Sequence, residues 1–181
     1  MTREELVIRL SEVFHQYGYD GATLSRLSAA SGLGKGSLYH HFPGGKAEIG
    51  LAVLQAAGLR FHHLLVTLQG NADIRNKLAV FVARLRLTDM EKRQASTLDV
   101  YSMGDAWDAY GQDMRTSVLQ LAERLAGALQ QAGLPADLAE QRAYDAVAML
   151  EGMRLTCRCL GEWSRYEQML DQLPYTLLAA H

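Results

Sequence analysis

Between its breakers this chain repeats apolar residues at intervals of three and four rather than two, so its predicted elements are helices. Leu6, Leu10, Val13, Phe14 and Tyr17 form one face of a first helix that opens with a Thr2/Glu5 capping box and ends at Gly18. Thr23 caps a short second helix carrying Leu24 and Leu27 and closing at Gly32. A third runs from Lys35 to Phe42 and stops at Pro43-Gly44-Gly45; Lys46 to Gln69 is a long fourth, closed by Gly70-Asn71. Ile74, Leu78, Phe81, Val82 and Leu85 mark a fifth, and the less regular stretch from Met90 to Trp107 holds a sixth. Tyr110 to Gln131 is a seventh, ended by Gly133-Leu134-Pro135, and Asp137 to Leu160 an eighth. Ser164 and Glu167 repeat the capping-box spacing for a last helix, which Pro174 is expected to kink or interrupt. The fold class is therefore all-α, with about nine helices.

At 181 residues and 49% hydrophobic composition the chain can bury a proper core, as one compact unit or two small packed ones, which excludes disorder. A net charge of -2 and a pI near 6.3 exclude a globally basic nucleic-acid coat protein. Any contact with nucleic acid must then be local. From Gly21 to Lys46 there is a suitable stretch, with Arg26, Lys35, Lys46 and the pair His40 and His41 but no Asp or Glu. Acidic residues replace the basic flank of a secretory signal, and no uninterrupted apolar run approaches the ~20 residues of a membrane span, so the expected location is cytoplasmic with no membrane partner. Cys157 and Cys159 sit roughly 200° apart on a helix and read as reduced, structural thiols.

Two short helices joined by the tight Gly32-Leu33-Gly34 turn have the layout of a helix-turn-helix. Leu27, Leu33, Leu38 and Phe42 are spaced to pack both helices against the first. On the helical wheel Gly36, Ser37, Tyr39 and His40 point the other way, with Lys35 and His41 on the flanks. Hydroxyl, phenol, imidazole and ammonium groups suit phosphates and base edges, and a glycine allows close approach to a groove. The glycines are no dinucleotide fingerprint, since no strand precedes them, and Gly45-Lys46 lacks the rest of a phosphate loop. His62 and His63 are sequence neighbours that cannot chelate from one helix face, and no hydrolase elbow occurs; no metal, cofactor or enzymatic activity is expected.

The run Lys35 to Phe42, a small-residue turn followed by K-G-S-L-Y-H-H-F, with Lys46 opening the next helix, resembles the recognition-helix signature of the TetR (tetracycline-repressor) family of transcriptional regulators. The motif covers the first quarter to third of the chain, the remainder being similar in helix number and length. The resemblance implies a DNA-binding domain over 1–46 and a helical effector-binding and dimerisation domain over 47–181. It places Lys35, Tyr39 and His40 in or beside the major groove and Thr23, Ser25, Ser37, His41 and Lys46 on phosphates, with Gly36 against the groove floor. Two features depart from the family pattern: Gly34 stands where the recognition-helix cap is often Ser, and Gly44-Gly45 lengthens the following turn by one residue. The later part of the chain supplies soft and aromatic side chains, Tyr101, Met103, Trp107, Tyr110, Met114, Met149 and Met153, which the resemblance suggests for an effector pocket and which could equally be core. It further implies a homodimer through the last two helices, a palindromic double-stranded operator, and release by a small apolar or cationic molecule, with repression as the usual mode. The alternatives are a ligand-independent DNA-binding protein of the same fold and a helical small-molecule-binding protein or enzyme.

Overall fold

In a computed structural model the described residues are 2–92 and 95–179, without the side chains of 89–92. Every regular element among them is a helix: α1 (Arg3–Gly21), α2 (Leu24–Ser31), α3 (Lys35–His41), α4 (Gly45–Val66), α5 (Ile74–Lys92), α6 (Thr97–Tyr101), α7 (Gly104–Gln131), α8 (Ala136–Leu160) and α9 (Ser164–Leu178). The expected all-helical class is thus the observed one. The chain divides into two compact units, the first comprising Met1–Arg60 and Ala95–Met114, the second Phe61–Gln94 and Arg115–His181. The unit that carries the first three helices therefore extends beyond residue 46 and takes in a later segment.

In the first unit α1 starts from the predicted capping box: Glu5 N–H donates to Thr2 Oγ1 (3.1 Å) and Thr2 N–H to Glu5 Oε2 (2.8 Å). Leu6, Leu10 and Phe14 are fully buried along its inner face. The end of α1 differs from expectation. At Gly18 the backbone turns to φ +70°, ψ 172°, and the helix resumes to Gly21 beyond this kink. Tyr17, expected in the core, is 43% exposed, with the Arg26 guanidinium 4.2 Å over its ring, and Tyr19, beyond the kink, is buried.

Tyr19 joins Phe14, Tyr101 and Tyr110 in a cluster whose ring centroids lie 5.4 to 6.4 Å apart. Two of these phenols hold the start of α4. Tyr101 Oη donates to the Gly50 carbonyl (2.9 Å) and Tyr110 Oη to the Ala47 carbonyl (2.9 Å). Gly50 admits this packing because a Cβ there would stand 2.7 Å from Tyr19 Cε2. Burial, with the neighbouring phenols, pushes the Tyr101 hydroxyl well above its ordinary pKa, and burial does the same to Tyr19. The sixth helix is a single short one, opened by a Ser96/Asp99 capping box. A glycine turn, Gly104 at φ +59°, then starts α7 earlier than the predicted Tyr110.

The second unit is built on aliphatic contacts, with Leu78, Phe81, Leu125, Leu129, Ala139, Ala143, Leu170 and Leu173 at 0% exposure. Polar groups tie its helix ends. Lys77 Nζ donates to Gln131 Oε1 (2.8 Å), and Arg142 donates to the carbonyls of Leu177 (2.8 Å) and Ala179 (2.7 Å), cations at the carboxyl ends of α7 and α9. The ninth helix departs from its predicted start: Ser164 does not cap it but lies in its first turn, its Oγ donating to Glu162 Oε1 (2.7 Å). Pro174 does not end it either. The residues around the proline, Leu170, Leu173 and Leu177, are buried, and that packing carries the helix past its missing N–H. Cys157 is buried and Cys159 exposed, both as free thiols. Among the described residues one helix, α4, is long and apolar enough by length and composition to cross a membrane, and here it buries Ile49, Ala52 and Val53 in the first unit's core and Leu64 in the second's.

Candidate nucleic-acid interface

The turn between α2 and α3 is defined by short side-chain bonds. Gly32 closes α2 in the left-handed conformation (φ +70°, ψ 9°). Ser28 Oγ donates to the Leu33 carbonyl (2.6 Å), Ser31 Oγ donates to the Ser28 carbonyl (2.9 Å), and the Leu33 N–H donates to Ser31 Oγ (3.2 Å). These bonds satisfy backbone groups that the three-residue turn would otherwise leave unpaired, and they set where α3 begins. Leu27, Leu38 and Phe42 are buried at 0 to 1% exposure and anchor both helices on α1. The Arg3 guanidinium covers the outer side of Phe42 at 4.8 Å.

With that side of α3 fixed, the other side must face out. Lys35, Gly36, Ser37, Tyr39, His40 and His41 are all exposed, Tyr39 at 46%. Beyond its chain neighbours and the backbone of its own helix, no described atom lies within 4 Å of where a Cβ would stand on Gly36, so the surface there is open to a close partner. Gly34 precedes α3 with no side-chain capping bond, as its lack of a hydroxyl dictates. Thr23 and Ser25 are exposed at the start of α2, where Thr23 Oγ1 accepts the Arg26 N–H (3.3 Å).

The three cations of the acid-free stretch do not behave alike. Arg26 donates to the Gly21 carbonyl (2.6 Å) while lying over Tyr17. Lys46 Nζ is 3.4 Å from the Asp20 carbonyl, 4.0 Å from Asp20 Oδ1 and 4.4 Å from the centre of the Tyr19 ring. Among the described residues Lys35 alone of the three has no such partner. Asp20 and Glu48 are the residues that the sequence reading passed over. They flank the acid-free stretch, and Glu48 accepts from the Gly44 N–H (2.9 Å) and meets Arg3 (3.4 Å). Asp20 and Glu48 are thus each matched by a nearby cation, while the Lys35 side chain stands exposed.

The residues proposed for an effector pocket fall into three groups. Tyr101, Tyr110 and Met114 are buried in the core of the first unit. Met103 and Trp107 are 71% and 49% exposed. Met149 and Met153 are partly buried against the core of the second unit.

Residues 11–53, which contain this surface, match the sequence profile of a family described as bacterial regulatory proteins, tetR family. An HTH-type transcriptional regulator of Bacillus subtilis, YxaF, is 36% identical over 64 residues, 35% of this chain and 34% of its own length. The HTH-type transcriptional repressor AcnR of Corynebacterium efficiens is 36% identical over 59 residues, 33% of this chain and 31% of its own. The chain thus matches these relatives over about a third of their length. Over nearly the whole chain an HTH-type transcriptional regulator of Mycobacterium tuberculosis is 24% identical, covering 98% of this chain and 94% of its own, and a TetR transcriptional regulator from Legionella pneumophila superposes with a TM-score of 0.79 over 97% of both chains at 19% identity.

Proposed function

This chain belongs to the TetR family of bacterial regulatory proteins, and on that footing we propose that it is a cytoplasmic transcriptional repressor that binds palindromic operator DNA as a homodimer. The observation that carries the proposal is the exposed, acid-free face of α3. Its phenol, imidazoles, hydroxyl and ammonium group project from a helix whose Leu38 and following Phe42 are buried. In this reading Lys35, Tyr39 and His40 reach base edges in the major groove, Gly36 allows the approach, and Thr23, Ser25, Ser37 and His41 meet phosphates. Lys46, which the family resemblance also puts on a phosphate, is engaged with Asp20 and Tyr19 in the free chain, and in this reading it steadies the end of α1 instead.

A stripe on α8, comprising Tyr144, Ala148, Gly152, Leu155 and Cys159, is exposed at helical spacing, and on α9 Tyr175 is 66% exposed. Such a stripe supports pairing of the last two helices with those of a second copy, which would set two α3 helices one DNA turn, roughly 34 to 36 Å, apart. A small apolar or cationic molecule bound in the later part of the chain would release the operator by favouring a state that spaces these helices differently. Met149 and Met153, soft and only partly buried, are the first residues to vary in search of it.

Selection of bound sequences from random DNA tests the reading. The expected product is a palindrome bound by the wild-type chain and bound more weakly, with a reduced preference, by Tyr39→Ala. Selection of no palindrome, or a Tyr39→Ala chain that binds as tightly as wild type, would overturn it.

A further inference from the structure

Gly45, one of the two glycines in the α3–α4 turn, lies directly against the ring of Tyr39. Its φ is +63°, in the left-handed region that L side chains avoid, and it is buried. A Cβ placed on it would stand 3.3 Å from Tyr39 Cε1, with the hydroxyl and Cζ at 3.8 and 3.9 Å. The backbone here is held from both directions. Gly45 N–H donates to the Phe42 carbonyl (2.9 Å), the Gly44 N–H is taken by Glu48, and Tyr110 holds the Ala47 carbonyl two residues on. Of the two surfaces in contact, the half-exposed Tyr39 ring is the one able to yield.

We infer that Gly45 is a positioning residue for DNA recognition: its bare backbone is the shelf that sets the tilt of the Tyr39 ring, and so the base pair that the phenol addresses. The inference rests on the DNA-binding function proposed above. Its mechanics follow from the shape of tyrosine. A methyl group on the shelf pushes Cε1 outward, and because the ring swings from its own Cβ, the hydroxyl at the far end moves further than Cε1 does. Hydrogen bonds to base edges hold only over about 2.7 to 3.2 Å, so a small swing is enough to change which edge is reached.

The test is operator selection with Gly45→Ala and Gly45→Asn, alone and combined with Tyr39→Ala. Asparagine tolerates positive φ, so Gly45→Asn adds the Cβ while keeping the backbone conformation. The expected result is a folded protein that still selects a palindrome but loses or changes its preference at one symmetric pair of positions, by about fivefold or more. In the Tyr39→Ala background the same substitutions should leave the residual preference unaltered, which a merely structural glycine would not do. If wild type selects no operator, the function itself falls. If wild type selects one and Gly45→Asn keeps an identical profile, shifts it equally without Tyr39, or fails to fold, only this inference falls, because it requires the ring and not the backbone to give way.

Discussion

Around the first turns of α4 the first unit packs the rings of Phe14, Tyr19, Tyr101 and Tyr110, and two of their hydroxyls end on backbone carbonyls of that helix. The second unit fills its centre with Leu78, Leu125, Leu129, Leu170 and a series of alanines, among them Ala122, Ala126, Ala139, Ala143 and Ala146, beside the ring pair Trp163 and Tyr166. Aliphatic contact is non-directional and is judged by volume, whereas a phenol bonded to one carbonyl specifies a register. The difference matches what each unit has to do. The first must present α3 at a fixed attitude, and the second needs close-packed helices with small residues between them.

The largest effect that this contrast predicts is in the second core. Phe81→Ala should cost about 3 to 5 kcal/mol, because Phe81 is completely buried and its neighbours can close only part of the void. Denaturant unfolding measures it, and a loss below about 1 kcal/mol would mean that the aliphatic core is loosely filled.

Tyr101→Phe comes next, at about 1 kcal/mol near neutral pH, since it removes a single buried hydrogen bond to a carbonyl that lies within α4 and keeps its helical partner. Its pH dependence is more telling. Burial raises the phenol's pKa in the folded chain above the value of about 10 in the unfolded one. Below that value both states are protonated and the contribution is whole; above it the unfolded chain ionises while the folded one does not, so stability falls as pH rises. The variant lacks this proton, and its stability should fall less steeply between pH 10 and 11, about where the unfolded phenol titrates. Parallel alkaline slopes for the two chains would show that the phenol is not held as the structure has it.

These two cores were not equally legible in the sequence. In the second unit the three-and-four spacing of leucines and alanines is the whole signal, and α5, α7 and α8 follow from it. The first unit was readable where local chemistry decides, at the Thr2/Glu5 and Thr23 caps, the Gly32 turn and the Leu38/Phe42 stripe. It was not readable where a distant partner decides. Tyr17 and Tyr19 are the same residue type, and it is beyond the positive φ at Gly18 that the chain carries Tyr19 inward. Tyr101 and Tyr110 read as pocket material because nothing nearby in sequence reveals the carbonyls of Gly50 and Ala47 that their hydroxyls meet. Met103 and Trp107, read as pocket or core material, are exposed on either side of the turn at Gly104 that starts α7 early. The same holds at the surface, where Asp20 and Glu48 lie just outside the acid-free stretch and alter the standing of its cations.

The smallest effect on stability, and the finest division within the first unit, is between Lys35 and Lys46. Lys35→Ala should change stability by no more than about 0.5 kcal/mol, as for an exposed side chain away from any cap or core contact. Lys46→Ala removes an ammonium held over the Tyr19 ring and should cost about 0.5 to 1 kcal/mol. On DNA the order reverses. A lysine that neutralises a phosphate contributes about 0.9 to the slope of log K against log salt, so Lys35→Ala should flatten that slope by nearly one unit if Lys35 contacts a phosphate beside the groove. It should leave the slope as it was if Lys35 bonds only base edges, with the loss then falling on particular sequences. Lys46→Ala should leave the slope unchanged in either case, because its charge already answers Asp20. A flattened slope for Lys46→Ala would mean that the lysine leaves Asp20 when DNA binds, making the bond seen here a resting contact of the free protein.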